Sequence, residues 1–111
     1  NTVNADRFLS VHINSADSAS AKGTETLYKD YKTYASVIHS SSLNGMGYTK
    51  GSSYDRSLVY RPGLAVLRGT KMMSALAEMG FISNSTESAR IDARSEAIGS
   101  ALYQAICNSF N

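Results

Sequence analysis

With one cysteine, Cys107, the 111-residue chain has no disulfide framework of its own. The apolar neighbours Ala105 and Ile106 predict that this thiol is buried. Charge of one sign is also scarce in any single place. The eleven basic and nine acidic residues leave a net charge of +2 and form no run, so a polyanion-binding face is not indicated. At most, the slight basic excess is compatible with attraction to an acidic polymer such as a cell wall. No apolar stretch approaches the length that spans a bilayer. Several chemical signatures are missing: there is no HExxH, no CxxC, no glycine-rich phosphate loop and no G-x-S-x-G elbow. The first residue is Asn1, with neither an initiator Met nor a secretory leader. This reads as a processed product or an excised piece with any targeting signal upstream. What is present, 42% apolar residues, suits one globular domain that buries roughly two thirds of its unfolded surface.

Strand and helix signals alternate along the chain. RFLSVHI (7–13) and TETLY (24–28) read as strands separated by a polar loop, and the spacing of Tyr31, Tyr34, Ala35 and Ile38 predicts a helix from about Asp30 to Leu43. NGMG (44–47) supplies its stop. Residues 48–63 show little periodicity and are expected to form a long polar and aromatic loop, a length that is more often functional than idle. LAVL (64–67) and SALAEMGF (74–81) read as two central strands. Asn84 with Glu87 resembles a capping box that starts a turn or short helix, and residues from about Asp92 to Ser109 are expected to form an amphipathic helix lying on the sheet. The expected fold is an α/β layered domain with a mostly parallel or mixed sheet flanked by helices.

Two strands carry polar groups that a strand does not need. His12 and Asn14 interrupt FLSVHINS, and Glu78 stands among apolar residues in LAEMGF. Buried without partners, such groups cost free energy. If the two strands are parallel neighbours, His12 and Glu78 open into one crevice at the carboxyl end of the sheet. Imidazole is a good Zn²⁺ ligand, and a nearby carboxylate can take the proton from a water that a metal activates. A catalytic zinc generally has three protein ligands, however, and the chain has two histidines, with His39 in a predicted helix. The residues alone favour a structural His12 bonded to a backbone carbonyl and a Glu78 paired with an arginine such as Arg68, with the site as the alternative. A serine triad built on Ser10 has little support. Tyr48, Tyr54 and Tyr60 flank the long loop as possible groove residues, while Tyr31 and Tyr34 read as packing.

ADRFLSVHINSA (5–16), KGTETLY (22–28), LAVLRGTKMMSALAEMGFISN (64–84) and the closing helix follow one another as in the zinc-dependent N-acetylmuramoyl-L-alanine amidases. The chain resembles the class found in autolysins, sporulation hydrolases and phage endolysins. The resemblance covers essentially all residues and implies that 1–111 are the C-terminal part, about two thirds, of a catalytic domain. It places a zinc ligand at His12, a catalytic carboxylate at Glu78, and supports at Asn14 and Arg68. Gly23 and Glu25 match a structural or rim-forming G-x-E. Met73 departs from a proline common before the final strand. The resemblance further implies peptidoglycan as substrate, a site of action that is extracellular, wall-associated or reached through phage lysis, and two further ligands, a His and a Glu, from an N-terminal segment or chain. It leaves open a non-catalytic wall-binding remnant of the same fold.

Overall fold

The computed structural model describes residues 5–110. Four strands, β1 (Arg7–Asn14), β2 (Thr24–Tyr28), β3 (Asp55–Tyr60) and β4 (Met73–Phe81), form a sheet in the order β1-β4-β2-β3. β1 pairs with β4 in parallel and β2 with β3 in parallel, while β2 and β4 are antiparallel, so the sheet is mixed as expected. Helices α1 (Lys32–Met46), α2 (Ala65–Arg68), α3 (Ser85–Ala93) and α4 (Ser95–Asn108) complete the domain.

Alternation along β4 divides the core. Ala75, Ala77 and Met79 face α1 and α4, meeting Tyr34, Ala35, Ile38, Met46, Leu102 and Ala105. Leu76 points the other way, into a smaller cluster with Leu27 of β2 and Leu67 of α2. The first layer is thick and the second is a single helical turn, so most of the second face stays open beyond Leu76. Glu78 follows Leu76 at the strand period and lies on that open face.

Two helices meet closely where a side chain would not fit. A Cβ on Gly45 of α1 would come within 2.8 Å of the Ile98 Cα of α4. The last carbonyls of α1 are satisfied from outside the helix: Arg94 Nε donates to Gly45 O at 2.7 Å and Arg90 Nη1 to Met46 O at 3.0 Å. Gly47 then ends the helix in the left-handed region, φ +76°.

Several sequence expectations are corrected. LAVL is not a strand; Ala65–Arg68 is the helix α2, because Leu64 and Leu67 at i, i+3 close over Leu27 and Leu76 in one turn. The third strand instead lies inside the expected loop, as β3. Its apolar residues Leu58 and Val59 are too few to show a period, and pairing with β2 creates the strand. The closing helix α4 begins at Ser95, about three residues later than expected, because Arg94, whose φ of −110° and ψ of 18° are not helical, separates it from α3, the short helix that Asn84 starts. Cys107 is exposed on α4 rather than buried, and Tyr31, at the start of α1, is 38% exposed while Tyr34 is buried.

Candidate functional site

β1 and β4 are parallel neighbours, with His12 directly paired to Glu78. On the other side of β4, Glu25 of β2 is paired to the same Glu78. Residues paired in register project to one face, so His12, Glu78 and Glu25 form a row across three strands on the open side of the sheet. Two carboxylates directly opposite each other repel. Glu25 is held by opposing donors: Asn14 Nδ2 donates to its Oε1 at 2.9 Å, and Arg56 Nε lies 3.6 Å from the same oxygen.

Among the described residues no hydrogen-bond donor reaches Glu78. Burial pushes its carboxyl above the usual range, the Glu25 charge pushes it further, and the cationic neighbours His12, Arg56 and Arg61 pull it back. A carboxylate raised by these causes can hold and release a proton nearer neutrality than a free one. His12 is exposed, and its ring makes no hydrogen bond among the described residues. The structural expectation of a histidine bonded to a backbone carbonyl is therefore not met, and both ring nitrogens remain open to a ligand. The other histidine is fully engaged. His39 is buried, with Nδ1 2.9 Å from Thr26 Oγ1 and Nε2 2.7 Å from Asp55 Oδ1.

The register of β1 against β4 shifts between His12 and Asn14, which re-aims the strand end. Asn14 bonds Glu25 across the site and accepts from Ser15 N at 2.9 Å, so its contact is with the carboxylate row. Arg68 lies exposed at the end of α2, and the arginines whose charges act on Glu78 are Arg56 and Arg61. The expected Arg68–Glu78 pairing is not formed.

Only part of the tyrosine set gathers at this end of the sheet. Tyr48 and Tyr54 stack at 4.5 Å, with Arg90 over the first ring and Lys22 over the second, which makes a column of two cations and two rings. Tyr54 lines a cleft of about 270 Å³ with Ser20, Lys22, Asn84 and Thr86. Tyr60 packs on Tyr28 where β2 and β3 end, the opposite end of the sheet from Glu25.

Glu87 is a buried residue whose importance the capping pattern understated. Asn84 Oδ1 accepts from Thr86 N and Glu87 N at 3.1 Å, as an N-cap should. The Glu87 side chain does not return to the cap. It turns inward, where Gly23 N donates to both its oxygens at 2.9 Å, Phe81 N donates to Oε1 at 2.8 Å and Tyr48 Oη donates to Oε2 at 2.6 Å. Gly80 leaves room for it, since a Cβ there would lie 3.0 Å from Oε1. One carboxylate thereby ties the start of β2, the end of β4 and Tyr48 together.

Arg56 and Arg61 carried no motif in the sequence because they sit in the stretch read as loop. The G-x-E pattern was the available signal for Arg56. Gly23, at φ +114°, clears a path that a Cβ would block at 2.8 Å from Arg56 Cγ, and Glu25 meets the guanidinium beyond it.

The ligand chemistry fits a metal only in part. The free imidazole of His12 has the character of one ligand. Among the described residues, however, no group of three or more His, Cys, Asp or Glu side chains converges to hold an ion.

Comparison with known proteins extends these observations to the whole chain. The family model for N-acetylmuramoyl-L-alanine amidase (Amidase_3) matches residues 1–108. An uncharacterized protein of Bacillus subtilis (strain 168), YqiI, is 36% identical over 101 residues, which are 90% of this chain and 45% of that protein. The catalytic domain of CwlV, an N-acetylmuramoyl-L-alanine amidase from Bacillus (Paenibacillus) polymyxa var. colistinus, superposes with a TM-score of 0.84 at 30% identity. That match covers 96% of this chain and 58% of the CwlV chain. AmiC2 of Nostoc punctiforme, another such amidase, gives a TM-score of 0.83 at 25% identity, over 96% of this chain and 59% of its own. The chain thus spans about half the length of the curated relative and under two thirds of either solved amidase. By the match over nearly its full length, it belongs to the N-acetylmuramoyl-L-alanine amidase family.

Proposed function

We propose that the protein containing this chain is a hydrolase that cuts the amide between the lactyl group of N-acetylmuramic acid and L-alanine in peptidoglycan, with Glu78 as the catalytic carboxylate. The observation that carries the reading is the His12–Glu78 register pair on the open face, within a chain of this family. His12 would be one zinc ligand, and the other two, a His and a Glu, would come from a segment outside residues 1–111. A zinc ion held there would supply Lewis acidity toward water and the scissile carbonyl. Glu78 takes the proton of the attacking water and delivers it to the departing amine of L-alanine. Its raised affinity for a proton suits both transfers. Asn14 holds Glu25 in place, so the second carboxylate stays fixed beside Glu78. The Tyr54 cleft adjoins the same end of the sheet and would form part of the groove wall. Wall peptidoglycan as substrate places the action outside the cell membrane.

The test uses the full-length protein. Replacing Glu78 with Gln should leave zinc near one per molecule while release of stem peptides from peptidoglycan falls by about 10²–10⁴-fold. Retained hydrolysis would sink the role of Glu78. His12→Ala should lower zinc occupancy, and unchanged metal content would sink the ligand assignment. Binding of peptidoglycan without metal or hydrolysis would favour the non-catalytic remnant, which the lack of a three-ligand group among the described residues keeps in view.

A further inference from the structure

Arg56 is built into the Glu78 face with unusual care for an exposed side chain. Its stem passes over Gly23, its Cζ lies 4.9 Å above the Phe81 ring, and its Nε stands 3.6 Å from Glu25 Oε1. The outward side is nearly unused. Nη1 has one long bond, 3.4 Å to Lys22 O, and Nη2 has no partner among the described residues, with 43% of the side chain exposed. A guanidinium is a planar fork suited to two parallel bonds with a carboxylate, and a single 3.6 Å approach to Glu25 leaves that capacity open. Because the stem and ring contacts already restrict its rotamers, little entropy is left to lose when a ligand arrives.

The charge around the site gives this fork a purpose. Glu25 and Glu78 face each other on the open side of the sheet, so a substrate carboxylate that docks beside them gains from a fixed cation. Arg56, together with Arg61, is positioned close enough for its charge to act on Glu78.

We propose that Arg56 is a substrate-binding residue whose ligand is a free carboxylate on the peptide side of the scissile amide, so that the site prefers acidic stem peptides over their amidated forms. The proposal rests on the amidase reading for the identity of the peptide. Its evidence is the pinned, half-open guanidinium beside Glu25, the register partner of Glu78.

The experiment is a calorimetric titration of the full-length protein carrying Glu78→Gln, which prevents turnover. The ligands are two muramoyl peptides that differ only in a free carboxylate or a carboxamide at the second residue. With Arg56 present, the carboxylate ligand should bind about tenfold more tightly. Arg56→Gln should remove that preference by weakening the acidic ligand alone, and Arg56→Lys should restore part of it. Equal binding of the two ligands by the Glu78→Gln protein that retains Arg56, or no binding of either, overturns the proposal without any Arg56 variant having to fold. An equal loss for both ligands in Arg56→Gln also overturns it, because that is the mark of a structural role. Wild-type hydrolysis of both peptides provides the independent arm. An Arg56-dependent preference in binding without hydrolysis would sink the amidase reading and uphold this one, whereas hydrolysis without charge preference would sink this one alone.

Discussion

Two glutamates bracket the end of β4 and meet opposite fates. Glu87, 1% exposed, accepts hydrogen bonds from Gly23 N, Phe81 N and Tyr48 Oη. Glu78, nine residues earlier, meets no donor among the described residues and faces another carboxylate across the strands. Among the described residues the two histidines divide in the same way: His39 is bonded through both ring nitrogens, and His12 through neither. Polar groups that finish their bonding inside the fold stabilise it, and those left unfinished on an open face are available for chemistry. Side-chain type does not separate the two classes. Connection does.

The comparison breaks first at Glu87. Glu87→Ala strands two buried backbone donors, at about 1–3 kcal/mol each, and the half-buried Tyr48 hydroxyl, so an unfolding loss of about 3 kcal/mol or more is expected by denaturant titration. A loss below about 1 kcal/mol would show that the network is dispensable. Next in size is Gly23→Ala, which meets a φ of +114° and the Tyr54 carbonyl oxygen at 2.9 Å. About 2 kcal/mol is expected there, with the Arg56 stem displaced, measurable as a fall in melting temperature.

Asp55 sharpens the histidine half. Burial works against its charge, but the hydrogen bond from His39, those from Gly51 N and Ser57 N, and the His39 charge together hold its carboxyl below the usual aspartate range. A depressed folded value means that its contribution is fully present above the unfolded aspartate pKa and is lost as pH falls through the folded one. Asp55→Asn should therefore cost about 1–2 kcal/mol at neutral pH and show a shallower loss of stability in acid than wild type. Parallel acid limbs in the two proteins would refute this.

The smallest stability effect belongs to Glu78. In metal-stripped protein, Glu78→Gln should be as stable as wild type or slightly more so at pH 7, because it removes a carboxylate raised by burial and by Glu25. The sign is opposite to that of Asp55: a raised folded value makes wild type lose stability as pH rises through the carboxylate range. A clear destabilisation by Glu78→Gln would place Glu78 with Glu87 among the structural groups.

Legibility followed the same division. β2 was read to the residue, and β1 and β4 within about a residue at either end, because runs such as TETLY and SALAEMGF carry their period and apolar content locally. The His12–Glu78 pairing followed from placing both on parallel neighbours. β3 and α2 exchanged identities because neither is decided locally. DRSLVY becomes a strand by pairing with β2, and AVLR becomes a helical turn because Leu64 and Leu67 have a cluster to cap. The Tyr60 placement failed for the same reason, since strand direction decides which end of the sheet a loop residue reaches.

The sequence by itself determined which side chains are chemically out of place, His12 and Glu78, and which family the chain resembles, since both are properties of short motifs in order. Only the tertiary structure decided that Glu25 opposes Glu78, that Glu87 turns inward from its cap, and that Arg56 crosses Gly23 to the open face. Each depends on a pairing between segments from 6 to 64 residues apart in the chain. Hydrogen bonds and charge interactions act over a few ångströms of space, and a motif read along the chain contains no such distance.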